Sequence, residues 1–489
     1  MAEKDLRRGS GRAGRMLAGV LVVVLLVAAG VAWRTGWAEE RWDDLRSDGE
    51  PPADPAAVAP PPEVDVPGVV RPPALAKPAS GAGPLDRVAI RSALAPLVDR
   101  DLGGHVLAAV GPLEGSGLTY DGGGGVGVAI PASTTKVVTS AVALFLLGPE
   151  RTFDTTTVID TSGSSPRLVL VGGGDPYLAR RPATLDANDP TFEPPHADIR
   201  TLARRTARAL SADGVRAVRL GYDDSLFSGP AMSPQWEPGY FPSEVSPVSP
   251  LWVDGGRTAD GGTRVSDPAP AAAAEFRREL VRAGVKVAGA VARTPAGSGR
   301  PVARVTGPTV AQIVHRVLEV SDNNASEVLL RHIGIADQGV GSFEAGQAAV
   351  ERVLEANGVP MAGSVLYDGS GLSRRNLLAP EVLVGVLRLA ASDDHPGLRP
   401  LLTALPVAGY TGSLADRMDQ GPAAGRGRVR AKTGTLTGVT SLAGIAVDRE
   451  GNLMAFALMA DRVRKVKGAL ARVAMDNAAA GLGACTCGR

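Results

Sequence analysis

The chain has 489 residues, 52 basic against 51 acidic, and a formal net charge of +1, a balance that argues against nucleic acid as a partner. Aromatic residues make up 4% and hydrophobic residues 44%, which leaves few stacking platforms for single strands but supports a real core and more than one domain. Both cysteines, Cys485 and Cys487, fall within the last five residues, so the body of the chain is free of thiols, as suits an oxidising, exported location.

Lys4, Arg7, Arg8, Arg12 and Arg15 precede Met16 to Trp33, eighteen residues without a charge. At about 1.5 Å per residue such a helix just spans a bilayer core, and the basic flank stays cytoplasmic. The expected order is a cytoplasmic tail (1–15), a single-pass anchor (16–33) and an exported remainder. Cleavage of a signal peptide after Gly30-Val31-Ala32 is the competing reading. Residues 34–84 read as a linker, with 11 of the 38 prolines between Glu50 and Pro84. At about 3.1 Å per residue it could hold a domain on the order of 100 Å from the membrane.

The folded region starts near Leu85. Apolar spacing predicts a helix over Leu85–Asp101, then a hairpin of His105–Leu113 with Gly117–Asp121. Pro131 sets a helix start with Ser133 in its first turn, and the helix runs on through Leu147 to a stop at Gly148-Pro149. Strands are expected at Thr155–Asp160 and Arg167–Val171. They end in Gly172-Gly173-Gly174-Asp175-Pro176, a tight turn rather than a phosphate loop, because no Gly-Lys-Ser/Thr follows. Ile199–Asp213 and Ala271–Ala283 read as helices, Val215–Tyr222 and Val285–Val291 as strands. Residues 152–302 therefore look like an inserted α/β module between a first part (85–151) and a second part (303–484). The second part is helical at Val310–Val320, Ala325–His332 and Phe343–Asn357. A strand over Ser364–Asp368 leads into Gly369-Ser370-Gly371-Leu372-Ser373, and a helix covers Pro380–Ala391. Arg428–Thr433 is a strand, Val439–Val447 and Leu453–Ala460 a hairpin, and Arg464–Leu482 a closing helix. A helical layer with an antiparallel sheet is an α+β arrangement.

The chemistry starts at Ser133-Thr134-Thr135-Lys136. Serine and lysine at i and i+3 share a helical face. Taken alone, the pair reads as a helix cap and a snorkelling lysine. Only seven of the 52 basic residues are lysine, however, so a lysine here suits a pKa that can fall, which arginine cannot supply. A desolvated, neutral Lys136 could take the proton of Ser133 and make it a nucleophile. Ser321-Asp322-Asn323 lies between two helices, and Lys432-Thr433-Gly434-Thr435 ends a strand. Each is weak alone, but the three in this order form one constellation. Ser133 would form an acyl-enzyme, with Lys136 as base and Ser321 as proton relay. Asn323 would bind the substrate backbone and orient Lys136. Lys432, Thr433 and Thr435 would receive a terminal carboxylate, and the backbone N–H groups of Ser133 and Thr435 would form the oxyanion hole. Cys485-Thr486-Cys487 builds no metal site without distant ligands. A disulfide closing so short a loop would be strained, so the pair reads as a tail feature.

With these motifs, the chain resembles the class C low-molecular-mass penicillin-binding proteins, the D-alanyl-D-alanine carboxypeptidase/endopeptidases, from about Leu85 to Leu482. Gly172-Gly173-Gly174-Asp175-Pro176, Asp223-Asp224-Ser225, Asp368-Gly369-Ser370-Gly371-Leu372-Ser373 and Leu436 after the third motif add to the resemblance. It implies a transpeptidase/β-lactamase-like domain: terminal helices on one face of a five-stranded antiparallel sheet, and the serine helix in a helical cluster beside it. It also implies peptidoglycan stem peptides ending in D-Ala-D-Ala, and their cross-links, as substrates, β-lactams as covalent inhibitors, and no metal or other cofactor. The family often carries two nested insertions, and the loop-like stretch Tyr177–Arg200 suggests that the inner one is missing or reduced. A class A β-lactamase would need Glu-x-x-Leu-Asn, which does not occur between Ser321 and Lys432. A Ser-His-Asp enzyme is poorly supported, since no Gly-x-Ser-x-Gly elbow occurs. A penicillin-acylated sensor without turnover is the alternative outside the enzymes, and intact Lys136, Ser321, Asn323 and Lys432 argue against it.

Overall fold

The computed structural model describes residues 84–122, 127–182, 194–361, 363–419 and 421–488, all within the unit Ala76–Arg489. The expected tail and anchor, and the Pro-rich linker as far as residue 83, fall outside the described residues. Among the described residues no helix is long and apolar enough to cross a membrane.

Helix α1, Arg87–Ala93, starts at Asp86, whose carboxylate accepts from the N–H groups of Val88 and Ala89. The single helix expected to reach Asp101 breaks instead into 3-10 turns at Ala95–Val98 and Arg100–Leu102. Pro96 is the reason, because it removes a donor and crowds the preceding turn. β1, Val106–Pro112, pairs with the short β2, Tyr120–Gly122. A 3-10 turn, Ala132–Thr134, then leads into α2, Thr135–Leu147.

The chain next builds a second sheet from β3 (Thr152–Asp160), β4 (Arg167–Val171), α3 (Ile199–Ala212), β5 (Ala217–Asp223), α4 (Pro268–Arg282), β6 (Lys286–Arg293) and β7 (Arg300–Thr309). Its order is β6-β5-β4-β3-β7. β4, β5 and β6 run parallel, joined through α3 and α4, and β3 is antiparallel to both β4 and β7. The inserted unit therefore extends past residue 302: β7 stays paired to β3 as far as Thr309 opposite Thr152. The N-terminal half of β7 is largely exposed, so it carries no apolar alternation by which to read it.

Helices α5 (Val310–Glu319), α6 (Asn323–Gln338), α7 (Phe343–Ala356) and α8 (Pro380–Ala391) follow, with a short turn of helix at Arg399–Thr403. The strand expected over Ser364–Asp368 is absent; only Val365 bridges to Leu377, because the backbone after Asp368 is drawn into side-chain hydrogen bonds described below. β8 (Val429–Leu436), β9 (Val439–Val447) and β10 (Leu453–Ala460) complete the first sheet, and α9 (Gly468–Ala484) closes the fold. That sheet is antiparallel throughout, in the order β2-β1-β10-β9-β8.

Both faces of the first sheet are buried. Ala108, Val110, Phe456 and Leu458 face Ile90 of α1 and Met475 of α9, while Leu107, Ala109, Ala457 and Met459 face the helical cluster around α2. Burial on both faces explains why β10 reads as an unbroken apolar run. A separate core, including Leu168, Leu202, Leu220 and Phe276, fills the inserted unit. Cys485 and Cys487, read from the sequence as a tail feature of unknown role, are joined in a disulfide. The chain turns back after α9 and brings their Cα atoms to 5.3 Å, within bridging range.

Candidate active site

The turn before α2 places Ser133 and Lys136 on one face, and Lys136 is fully buried. Its Nζ lies 3.0 Å from Ser133 Oγ, 2.7 Å from Asn323 Oδ1 and 2.6 Å from the Ser370 carbonyl oxygen. The last two partners can only accept. A neutral amine has two N–H bonds and one lone pair. In that neutral form, with both N–H bonds spent on Asn323 and Ser370, the lone pair would face the Ser133 hydroxyl. Burial is the main cause that brings Lys136 from 10.5 down to about 8, opposed by the Glu327, Asp368 and Asp322 carboxylates. Asn323 Nδ2 donates to the Glu244 carbonyl at 3.1 Å, which turns the amide oxygen towards Lys136.

The Ser370 carbonyl is itself held in place. Glu327 accepts from the N–H groups of Gly369 (3.0 Å) and Ser370 (2.8 Å). The Gly369 carbonyl accepts from Thr139 Oγ1 and Ser326 Oγ. Asp368 accepts from the N–H groups of Gly371 and Ser373, from Asn376 Nδ2 and from Trp236 Nε1. Gly371 has φ +84°, and a Cβ there would lie 1.8 Å from the Ala132 carbonyl oxygen, so only glycine lets the loop close on the turn that presents Ser133. Burial first, then the Asp368 charge, raises the Glu327 carboxyl to about 8.

β8 supplies the third motif from the edge of its sheet. At Gly434 a Cβ would lie 2.0 Å from Ser441 Oγ and 2.5 Å from the Pro131 carbonyl oxygen, so glycine lets the strand pack against the serine turn. Lys432 is fully buried and donates to the Thr433 carbonyl at 3.0 Å. Burial, then Lys136 and Arg417, push its ammonium well below the usual lysine range. Thr433 Oγ1 donates to Ser413 Oγ at 3.0 Å, and Thr435 is exposed on the strand. The segment before the strand pairs with its start, through Ala408 N–H to Val429 and Ala431 N–H to Pro406.

Direct contacts thus join Ser133, Lys136 and Asn323. Lys432 lies within electrostatic reach of Lys136. Ser321 has φ +63°, and its hydroxyl makes no hydrogen bond among the described residues. Asp322 caps α6 by accepting from the Ala325 N–H at 3.0 Å.

A family model described as the D-Ala-D-Ala carboxypeptidase 3 (S13) family matches residues 92–263 and 257–482. The chain belongs to this S13 family. Carboxypeptidase DacB of Mycolicibacterium smegmatis is 33% identical over 482 residues, covering 96% of each protein. A carboxypeptidase of Mycobacterium tuberculosis is 35% identical, covering 73% of this chain and 76% of its own length. The crystal structure of penicillin binding protein 4 from Haemophilus influenzae superposes with a TM-score of 0.64 at 20% identity, over 79% of this chain and 97% of that one. That last likeness is one of fold.

Reading the S13 chain by its three motifs leaves out Glu327 and Ser413, and takes in Asp368 only as part of a family resemblance, without a role. A signal existed for the first: Glu327 is four residues after Asn323 on α6, on the same helical face. Asp368 opens a loop rich in glycine and serine, where a carboxylate collects backbone N–H groups. Nothing in the sequence ties Ser413 to Thr433, twenty residues away.

Proposed function

We propose that the chain hydrolyses peptidoglycan stem peptides ending in D-Ala-D-Ala, and their cross-links, through an acyl-enzyme on Ser133. One observation carries this reading: the buried Lys136 Nζ lies 3.0 Å from Ser133 Oγ and is held there by Asn323 Oδ1 and the Ser370 carbonyl, so that its neutral form would turn its lone pair to the serine. Ser133 Oγ attacks the carbonyl of the penultimate D-alanine as its proton passes to Lys136. The backbone N–H groups of Ser133 and Thr435 receive the oxyanion. The proton then reaches the leaving amine through Ser321, D-alanine departs, and water hydrolyses the ester. Lys432, Thr433 and Thr435 bind the terminal carboxylate. An arriving carboxylate would oppose the burial that depresses the Lys432 pKa and favour its charged form.

Membership of the S13 family and relatives named as carboxypeptidases support this chemistry. A β-lactam presents a cyclic amide to the same serine; the Haemophilus influenzae protein has been crystallised in complex with one. The uncharged span 16–33 and its basic flank support a site on the extracytoplasmic face of the membrane, held by a single-pass anchor.

Labelled penicillin should acylate the protein once, at Ser133, and a D-Ala-D-Ala pentapeptide should release D-alanine. An adduct on another residue overturns the assignment of the nucleophile. Acylation without product release from peptide or cross-linked wall fragments would make the chain a penicillin-binding sensor instead.

A further inference from the structure

Three consecutive residues of the second motif region hydrogen-bond to three separate segments of the inserted unit. Tyr177 OH donates to Asp322 Oδ2 at 3.3 Å. Asn323 Nδ2 donates to the Glu244 carbonyl at 3.1 Å. Asn324 Oδ1 accepts from the Ser246 N–H at 3.0 Å, and its Nδ2 donates to the Gly255 carbonyl at 3.1 Å. The receiving segments are braced in turn. Ser246 Oγ donates to the Gly255 carbonyl at 2.6 Å. Arg264 donates to the Pro242 carbonyl at 2.6 Å and reaches those of Ser243 and Glu244. Directly before this triplet, Ser321 holds φ +63°, a conformation that a non-glycine residue keeps only where its surroundings impose it.

We propose that the inserted unit is a clamp on the second motif, and that Asn324 is the positioning residue through which it acts. Among the described residues every side-chain hydrogen bond of Asn324 ends on residues 246 and 255 of the insertion; none reaches Ser133 or Lys136. Its neighbour Asn323 has one N–H spent on Glu244, its oxygen on Lys136, and one N–H left for substrate. Releasing Asn324 frees the first turn of α6 to shift relative to residues 244–246. Asn323 then loses the fixed orientation that aims the Lys136 lone pair at Ser133. The insertion, remote in sequence from all three motifs, thereby sets the alignment of the base. This inference rests on the reading of Ser133 as nucleophile and Lys136 as base.

The test measures acylation of the full-length, detergent-solubilised protein by a fluorescent penicillin, resolving the binding constant K from the acylation rate constant k2. The variants are Asn324→Leu, Asn324→Asp and Tyr177→Phe. Misalignment of about an ångström costs about 100-fold in rate, so Asn324→Leu should lower k2 by about 10- to 100-fold with K nearly unchanged. Asn324→Asp keeps the acceptor for the Ser246 N–H and should fall between that variant and wild type. Tyr177→Phe removes one oxygen, threatens folding least, and should lower k2 about threefold. Unchanged k2 in Asn324→Leu overturns the clamp, even where its melting temperature falls. Should Asn324→Leu not fold, unchanged k2 in Tyr177→Phe overturns it equally. Peptide mapping of the wild-type adduct separates the two failures. An adduct away from Ser133 defeats the underlying reading, whereas an adduct on Ser133 with unaltered k2 in the variants defeats the clamp alone.

Discussion

A lysine in the first turn of a surface helix carries its charge into water along a flexible stem. Lys136 cannot, since its Nζ is enclosed by Ser133, Asn323 and Ser370. The proposed role as base needs the neutral amine, and burial brings its pKa to about 8. The acylation rate should therefore rise about tenfold per pH unit below that value and level off above it, with a midpoint near 8 in a pH series with penicillin. A rate independent of pH between 6 and 9 would show that Lys136 is not the titrating base. Lys136→Arg keeps the charge but cannot release the proton, and should slow acylation by about 100- to 10,000-fold, the range typical of a lost general base. The residue types at Ser133, Lys136 and Asn323 were legible in the sequence because their chemistry is compressed into short motifs. The helical spacing hinted at Glu327, but not at its role, which runs through backbone N–H groups 42 and 43 residues away, at Gly369 and Ser370. The depressed pKa of Lys432 was not legible either, since it depends on burial and on the proximity of Lys136 and Arg417.

Among the elements, α6 reaches from the active site to the base of the insertion. Its N-terminal end carries Asn323, and two turns on, His332 stacks on Phe153 of β3 at 3.7 Å and bonds to the Gly174 carbonyl at 2.9 Å. Burial lowers the His332 imidazole from 6.5 to about 4. The unfolded chain takes this proton first, so stability present above pH 6.5 is lost as pH falls through about 4. The shift corresponds to about 3 kcal/mol at full loss. Nearby Asp175 has the opposite sign. Burial and then Asp154 raise it from 3.8 to about 7, so its contribution is complete at acid pH and is lost as pH rises through about 7. His332→Gln should cost stability at neutral pH through the lost ring contact. The gap to wild type should close by up to about 3 kcal/mol between pH 6.5 and 4 in urea unfolding. A constant gap would mean that His332 titrates normally in the folded protein. Most elements could be read from periodicity, α8 and β9 to the residue. The exceptions have physical causes: proline at 96 breaks the first helix, exposure along β7 hides its alternation, and an Asp-centred loop replaces a strand at 364–368.

At the scale of the whole molecule, the ends of the folded region are tied together on the sheet face opposite the helical cluster. Leu85 bridges Gly488, Asp86 N–H donates to the Cys487 carbonyl at 2.7 Å, and Arg449 N–H donates to that of Cys485 at 3.0 Å. Asp448, in the β9–β10 turn and fully buried, joins these pieces. Its carboxylate accepts from the N–H groups of Glu450, Asn452 and Cys487 and from Asn452 Nδ2, at 2.8 to 2.9 Å. Burial alone would raise its pKa, but these donors hold it below 3.8. Its stabilising effect is therefore present at neutral pH and is lost as acid protonates it. Asp448→Ala leaves several donors without a partner, each costing about 1–3 kcal/mol where water cannot reach. Allowing for relaxation, the variant should lose about 3 kcal/mol in urea unfolding at pH 7, and less as the pH approaches 3. The catalytic candidates line the other face and the β8 edge of the same sheet. Penicillin should therefore acylate folded Asp448→Ala protein at the wild-type rate when assayed well below its unfolding transition. A slowed rate in fully folded variant would show that the strands carry a shift from the Asp448 turn through to Lys432 and Gly434, and that closure of the chain ends belongs to the active-site geometry as well as to stability.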